Sequence, residues 1–487
     1  MFGSVLVANR GEIAYRIILT LKERGIESML LVSPLDIDQL PARTADKVVL
    51  IDDNPFEAYL SIERIVEEAK ALGAHAIHPG YGFLSENPAF ARAVENSGIK
   101  FIGPTSEQMS MFGDKLMARK IAIDNEIPVS VGSDTSLSDE EMLEIAENIG
   151  FPLLIKAAAG GGGRGIRLVE KLEELDENLH LARNEAKLAF KDDRVYLEKF
   201  IPNGRHIEVQ ILGFNPDMVL NFGERDCSLQ RKKQKLVEES PAPNLPKVKR
   251  SRLHKYALNL TSSIGYLNAG TVEFLYDGKE FHFLEVNTRI QVEHPVTEMV
   301  TGEDLVWRQL QIAAEMDPEI SQKDITFKGH AIEARIYAED PYSDFLPSPG
   351  KINNIVHPFG KGIRVDSSIV SGDEIHHYYD PLVSKLIAHT HSREASIDRL
   401  SSALDEYLIS GIQTTSKFIS DVIQSDDFRK VKHTTMYLDN SEFTVPAHII
   451  RIGSLVSAYI YHKSTSSIPA NQSSPQVSNW KRSGWRH

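Results

Sequence analysis

Cysteine is almost absent: Cys227 is the single one in 487 residues. No intramolecular disulfide can form, which fits a reducing compartment. Long apolar runs are missing too, since nothing approaches the roughly 20 residues of a membrane-spanning helix. The N-terminus runs straight into Ser-Val-Leu-Val-Ala, without the pattern of a signal peptide. Positive charge is in deficit: 54 Lys and Arg against 68 Asp and Glu give a net charge of −14. That argues against a nucleic-acid surface, which needs a basic stripe. Two nucleotide signatures are lacking as well. Ser4–Ala8 reads as a strand running into Asn9-Arg10-Gly11-Glu12, but G-x-G-x-x-G is absent and one glycine before a helix is weak evidence for a dinucleotide site. No G-x-x-x-x-G-K-[ST] occurs, which excludes a P-loop at the level of motif. What remains is a cytoplasmic enzyme with neither a membrane nor a nucleic acid as partner. Cys227 as a lone nucleophile stays as an alternative.

What is present is ordinary in bulk and specific in detail. Hydrophobic residues make up 41% and charged residues 25%, as in soluble globular proteins, and the length suits about three domains. The first hundred residues alternate apolar strands (Ser4–Ala8, Ser28–Val32, Ala76–His78, Lys100–Ile102) with helical patterns (Glu12–Arg24, Ile62–Leu72). Such alternation indicates parallel βαβ units. From Gly113 the pattern changes to helices at Leu116–Asn125 and Met142–Ile149, an apolar strand ending at Lys156, and further strands at Arg194–Phe200 and Ile207–Leu212. GTVEFLYDGKEFHFLEVN, residues 270–287, reads as a hairpin. The expected fold is α/β (α+β). An N-terminal parallel βαβ domain covers 1–112. A domain with a mobile lid (about 131–203) covers 113–330, and a C-terminal mixed α/β domain covers 331–445. The remaining stretch, 446–487, is expected to be a disordered tail.

Two stretches carry chemistry. Lys156 closes an apolar strand and leads into Ala-Ala-Ala-Gly-Gly-Gly-Gly-Arg-Gly. Glycines let backbone N–H groups crowd around phosphate oxygens, and the flanking Lys and Arg add charge, so the run reads as a phosphate-binding lid. The second stretch is residues 285–293, where Glu285, Asn287, Arg289, Gln291 and Glu293 occupy every second position. In an extended chain this puts five polar groups on one face. Glu273, on the first strand of the hairpin, adds another carboxylate. A two-residue turn would set Glu273 and Glu285 on opposite faces. A three-residue loop over Asp277–Lys279 would bring them within one diagonal pair. Two carboxylates and the Asn287 carbonyl suit Mg²⁺; a plain solvated strand face is the alternative. Cationic lid and carboxylate strand together describe a clamp for a nucleoside triphosphate.

The sequence resembles the biotin carboxylase component of biotin-dependent carboxylases, in the ATP-grasp superfamily. The resemblance rests on VLVANRGEIA (5–14), HPGYGFLSEN (78–87), GDK (113–115), GGGGRG (160–165), ERDCS (224–228), EVNTRIQVEHPVTE (285–298), GHAIEARIYAED (329–340), FLPSPGKI (345–352) and YYDPLVSKLI (378–387), in the family's order. It implies that ATP phosphorylates bicarbonate to carboxyphosphate, which breaks down to CO₂ and phosphate, and that biotin is then deprotonated and carboxylated. It assigns Lys115 and Lys156 to the triphosphate and Gly162 and Gly163 to the lid. Glu198, Lys199, Phe200 and Ile201 form the hinge that reads adenine, and His206 makes a ribose- or phosphate-side contact. Glu273, Glu285 and Asn287 hold Mg²⁺ or Mn²⁺. Arg289, Gln291, the Val292 amide and Lys235 surround bicarbonate, and Glu293 is its base. Arg335 stabilises the enolate-like oxygen of deprotonated biotin and borders the bicarbonate site.

Two positions depart from the family. Ala159 stands where another lid glycine is usual. Lys233 stands at a nucleotide contact where bacterial members often carry His, so a cation is retained. Residues beyond 445 lie outside the resemblance and hold no Met-Lys-Met biotin-attachment sequence. Biotin is therefore expected on a separate biotin carboxyl carrier protein. The second expected partner is a carboxyltransferase subunit, and a homodimer is the family's common state. The acceptor stays open among acetyl-CoA, propionyl-CoA, methylcrotonyl-CoA and pyruvate. Rival assignments are another ATP-grasp carboxylate ligase, of the carbamoyl-phosphate-synthase type, and a silent scaffold protein. Arg335 and HPGYGFLSEN speak against the first, Arg289 and Glu293 against the second.

Overall fold

The computed structural model describes the chain apart from residues 52, 53, 56, 134–136, 160–164, 442, 445, 446 and 467–487. Gly162 and Gly163 of the expected lid, and the last part of the expected tail, therefore lie outside the described residues. Two compact units are present, Met1–Ser441 and Glu442–His487.

In the first unit, β1 (Ser4–Val7), β2 (Glu27–Val32), β3 (Lys47–Leu50), β4 (Ala76–His78) and β5 (Lys100–Phe101) form a parallel sheet of order β3-β2-β1-β4-β5. Val5, Leu6 and Val7 are fully buried, as expected of a strand covered on both faces by crossover helices. The Asn9-Arg10-Gly11-Glu12 segment braces this domain. Asn9 donates to the carbonyls of Pro79 (2.6 Å) and Tyr81 (2.8 Å), and Arg10 forks onto Asp36. The β4 exit loop is thereby fixed next to β1.

A small antiparallel sheet of order β7-β6-β8 follows, made of β6 (Leu153–Ala157), β7 (Ile166–Val169) and β8 (Val195–Lys199). Helices Asp139–Ile149 and Leu175–Phe190 share a separate core with it, including Met142, Leu153, Ile155, Leu179 and Leu197. Ser138 and Glu141 form a capping box that fixes the start of the first helix.

The largest sheet has eight strands: β13-β12-β9-β10-β11-β14, then Leu382–Thr390 and Ile363–Ser367. Here β9 is Arg205–Asn215, β10 Met218–Arg231, β11 Gln234–Ser240, β12 Asn268–Tyr276, β13 Phe281–Asn287 and β14 His330–Tyr337. One face packs on helices Lys115–Asp124 and Lys247–Ser262 through Ile207, Val209, Leu253, Leu260, Phe274, Phe281 and Phe283. Strand β14 pairs with β11 from Ser240↔Ala331 to Val237↔Ala334, so the expected boundary at 330/331 falls inside one sheet. Strand β10 was not anticipated from the sequence, although ERDCS lies on it.

The second unit contains a helix, Ala447–Ser466, where the sequence pattern suggested a disordered tail from 446. Among the described residues no helix is long and apolar enough to cross a membrane.

Candidate active site

The carboxylate pair depends on a bulge. The β12–β13 turn spans four residues, Asp277–Glu280, with the Asp277 N–H donating to the Glu280 carbonyl at 3.2 Å and Asp277 Oδ1 accepting two backbone N–H groups at 2.7 Å. Neither the two- nor the three-residue turn is used. From Tyr276↔Phe281 to Phe274↔Phe283 strict alternation would send Glu285 into the phenylalanine core. One extra residue enters β13 between Phe283 and Glu285, and Glu273 then lies directly opposite Glu285. The expected alternation also stops early: β13 ends at Asn287, and residues 288–293 run as loop and turn into helix His294–Thr301. Arg289, Gln291 and Glu293 reach the same region from irregular backbone instead.

At the centre sits the Lys235 ammonium, 2.8 Å from Glu208, 3.0 Å from Glu273 and 2.7 Å from Glu293. The other Glu293 oxygen accepts from Arg335 at 2.9 Å, and Arg335 Nε donates to Glu238 at 2.5 Å. Burial opposes ionisation of Glu293, but Lys235, Arg335 and Arg225 outweigh it and hold the carboxyl well below the usual carboxylate range. Cys227 lies beneath, its sulfur 3.9 Å from Glu293. Burial, Glu208 and Glu293 push its thiol well above the ordinary value. A neutral thiol is a poor nucleophile, so the Cys227 alternative loses its basis.

Fully buried Arg225 organises the floor. It donates to Glu208 (2.5 Å), Gln210 (2.8 Å), Thr297 (3.0 Å), Thr271 (3.2 Å) and Gln291 (2.6 Å). The other end of the Gln291 amide donates to Glu273 at 2.8 Å. Gln291 is thus engaged at both ends and acts as a strut in the ligand-free chain. Arg289 donates through Nε to Glu86 (2.9 Å) and through Nη2 to the Asn287 carbonyl oxygen (3.1 Å). Buried Lys385 fixes the Val292 peptide by donating to its carbonyl at 3.0 Å and pairs with Glu12 at 3.1 Å.

On the opposite side, Lys115 opens a helix capped by Asp114 and lies 3.8 Å from Glu285. Lys156, at the end of β6, pairs with Glu198 at 2.8 Å. Lys233 stands exposed in the left-handed turn between β10 and β11. Enclosure by the surrounding protein and repulsion from Lys156 and Lys115 push it down to about 8. His206 lies 3.1 Å from Glu273; burial works against its charge, but Glu273 raises its pKa. The Lys199 and Phe200 amides donate to the carbonyls of Val131 and Pro152, and the Lys199 ammonium to those of Gly150 and Phe151. These groups are taken up within the chain.

The donor set fits a hard divalent cation. Glu273 and Glu285 offer carboxylate oxygens from adjacent strands, and Asn287 follows on the same strand. Glu285 ionises less readily because of burial, eased by Lys115 but opposed by Glu273 and Glu86; a cation between the carboxylates would relieve that repulsion. The nearby group His206, Glu208 and Glu273 also converges, but Lys235 already supplies positive charge to two of its members.

Glu208, Arg225, Glu238, Glu86 and Lys385 were missed as site residues. Signals existed for some: His206, Glu208 and Gln210 alternate on a strand that was read correctly, and Glu86, Arg225 and Lys385 lie inside motifs that carry the family resemblance.

Three family models match the chain: the biotin carboxylase N-terminal domain over residues 1–109, the carbamoyl-phosphate synthase L chain ATP-binding domain over 114–319, and the biotin carboxylase C-terminal domain over 333–440. The biotin carboxylase of Haemophilus influenzae is 45% identical over 442 residues, 90% of this chain and 98% of that protein. The 2-oxoglutarate carboxylase small subunit of Hydrogenobacter thermophilus is 47% identical over 441 residues, covering 90% of this chain and 93% of that one. Among solved structures, the biotin carboxylase domain dimer of Hydrogenobacter thermophilus 2-oxoglutarate carboxylase, with MgADP, ADP and bicarbonate, superposes with a TM-score of 0.88 at 46% identity, covering 90% of this chain and 97% of that one.

Proposed function

The chain belongs to the biotin carboxylase family, and from that premise we propose how its own residues carry out ATP- and bicarbonate-dependent carboxylation of biotin. The observation that carries the proposal is Glu293, held between Lys235 and Arg335 beside the Glu273–Glu285 pair.

Lys115, Lys156 and Lys233 receive the triphosphate, with Glu198 to Ile201 and His206 along the nucleotide. Of the hinge amides, those of Lys199 and Phe200 are committed inside the chain, so the base is met by other atoms of that segment. Glu273, Glu285 and Asn287 would hold Mg²⁺ or Mn²⁺, which when bound neutralises charge on the phosphates. Arg289 and Lys235 bind bicarbonate; a guanidinium matches its forked oxygens. The Val292 amide, steadied by Lys385, faces the same anion. Gln291 joins it by exchanging its bond to Glu273.

Without ligands Glu293 is a weak base, because two cations share it. Arriving anions draw Lys235 and Arg335 away, and the carboxylate regains basicity. Each unit of pKa recovered corresponds to about 1.4 kcal/mol. Glu293 then takes the bicarbonate proton as the freed oxygen attacks the γ-phosphorus and the bond to ADP breaks. Carboxyphosphate breaks down to CO₂ and phosphate, the phosphate takes the ureido N–H proton, and Arg335 stabilises the oxygen of deprotonated biotin while its nitrogen attacks CO₂. Biotin arrives on a separate carrier protein and leaves to a carboxyltransferase, and the enzyme works as a homodimer. The small-subunit name of the Hydrogenobacter relative and the dimer of the Hydrogenobacter domain support this assignment.

The test is ATP hydrolysis with free biotin. Release of phosphate should require bicarbonate and rise with biotin. Hydrolysis indifferent to both would leave only a generic ATP-grasp ligase.

A further inference from the structure

Behind Arg335 lies a pair of acids that the reaction above does not use. Glu333 on β14 and Glu238 on β11 are directly opposite one another in the sheet, and both are fully buried. Directly opposed side chains on one sheet face have Cβ atoms about 5 Å apart. Neither Glu333 oxygen has a hydrogen-bond partner, and neither has Glu238 Oε2. The other Glu238 oxygen accepts from Arg335, which also serves Glu293. The charged groups facing Glu333 are Lys385 from strand Leu382–Thr390, Glu238, Arg335 from its own strand, and Glu293 from the start of helix His294–Thr301. Lys385 is already held by Glu12 and the Val292 carbonyl. One guanidinium thus stands among three carboxylates. A buried carboxylate without a donor is strongly disfavoured, so the group takes up a proton instead. A proton on Glu333 would supply the donor that Glu238 Oε2 lacks.

We propose that Glu333 is a positioning residue of the carboxylation site: it holds a proton and donates it to Glu238, so that the acid pair presents one negative charge to Arg335 and leaves the outer nitrogen of Arg335 to Glu293 and the substrate anion. Burial keeps Glu333 well above the usual carboxylate range, consistent with that state near neutrality. At alkaline pH the pair would carry two charges and hold Arg335 back from the substrate anion, and turnover would fall.

This inference rests on the biotin carboxylase reading of the site, and two measurements separate the two. Infrared spectra of the wild-type enzyme should show a carboxylic-acid carbonyl band persisting at pH 8 and fading over the pH range in which kcat falls. Glu333→Gln keeps a donor that cannot ionise. Its kcat at pH 7 should stay within about threefold of wild type, its KM for ATP should be unchanged, and the alkaline limb of kcat should move up by at least one pH unit. A wild-type enzyme without the band, or a Glu333→Gln profile superimposable on wild type, overturns the proposal. Absence of bicarbonate-dependent turnover in the wild type would instead remove the functional reading, and the band would still report on the acid pair.

Discussion

His78 shows how one residue ties the β4 exit loop to stability. It closes β4 at the head of HPGYGFLSEN, is fully buried, and accepts the Gly80 N–H on Nδ1 at 3.0 Å. Burial drives its pKa down to about 3, with the neighbouring Gln309 side chain opposing the shift. The unfolded chain binds a proton near the ordinary value of about 6.5, so His78 contributes its full stability above that pH. As pH falls through the window from about 6.5 toward 3, the unfolded state gains a proton that the folded state refuses, at up to about 1.4 kcal/mol per pH unit. In denaturant titrations, the stability advantage of wild type over His78→Asn should shrink steadily from pH 7 to pH 5. A constant difference would contradict this. At this scale the sequence was informative where it singled out residues that the fold brings into one region, as with Glu273, Glu285, Arg289 and Glu293. It was silent on Glu238 because that carboxylate acquires a role only through strand register, almost a hundred residues away from Arg335.

Elements add what single residues cannot. Glu285 reaches the site through a bulge that no alternation pattern announces, and residues 288–293 converge from a loop that looked like strand. The reason is shared: Phe283 and Val286 are both required by the core, and only an irregular backbone lets the residues around them face the Lys235, Glu273 and Glu293 cluster. The hairpin between β10 and β11 is a second case. Lys232 and Lys233 both have positive φ (46° and 68°) between Arg231 and Gln234, a two-residue turn for which Asn-Gly is the preferred sequence. Lysine there sacrifices turn preference for charge, which the proposed function places at the nucleotide. Replacing Lys232-Lys233 by Asn-Gly should leave the melting temperature equal or higher and raise the KM for ATP. Because Lys233 titrates near 8 in the free enzyme, ATP favours its charged form and binding at pH 8.5 should take up a proton. Calorimetry in buffers of different ionisation enthalpy should register that proton in wild type and lose it in the Asn-Gly variant; equal uptake would rule out Lys233 as its source.

At the level of the whole molecule, the eight-stranded sheet joins segments that the sequence divides. Composition shifts and motif order suggest three domains in residues 1–445, but β14 completes a sheet begun by β9 to β13. It carries Arg335 to Glu293 and His330 to Glu239, which also accepts from Arg393. Cutting after residue 330 would open the β11 edge and leave Glu238 without Arg335 and Glu239 without Arg393. A fragment of residues 1–330 should therefore aggregate, while residues 1–441 should unfold in one cooperative transition by circular dichroism. A soluble, cooperative 1–330 fragment would show that the sheet is not the unit of folding. The same junction holds Glu293, the proposed base for bicarbonate, reached by Lys235 and Arg335 from both halves of the sheet. The most direct test of that role is to supply labelled bicarbonate, ATP and free biotin and follow label into acid-labile carboxybiotin. Label should appear in wild type and be lost in Arg289→Ala, by about 10²–10³-fold if one anion-stabilising group is removed, with ATP affinity retained. Wild-type enzyme that makes ADP but no labelled carboxybiotin would contradict the account.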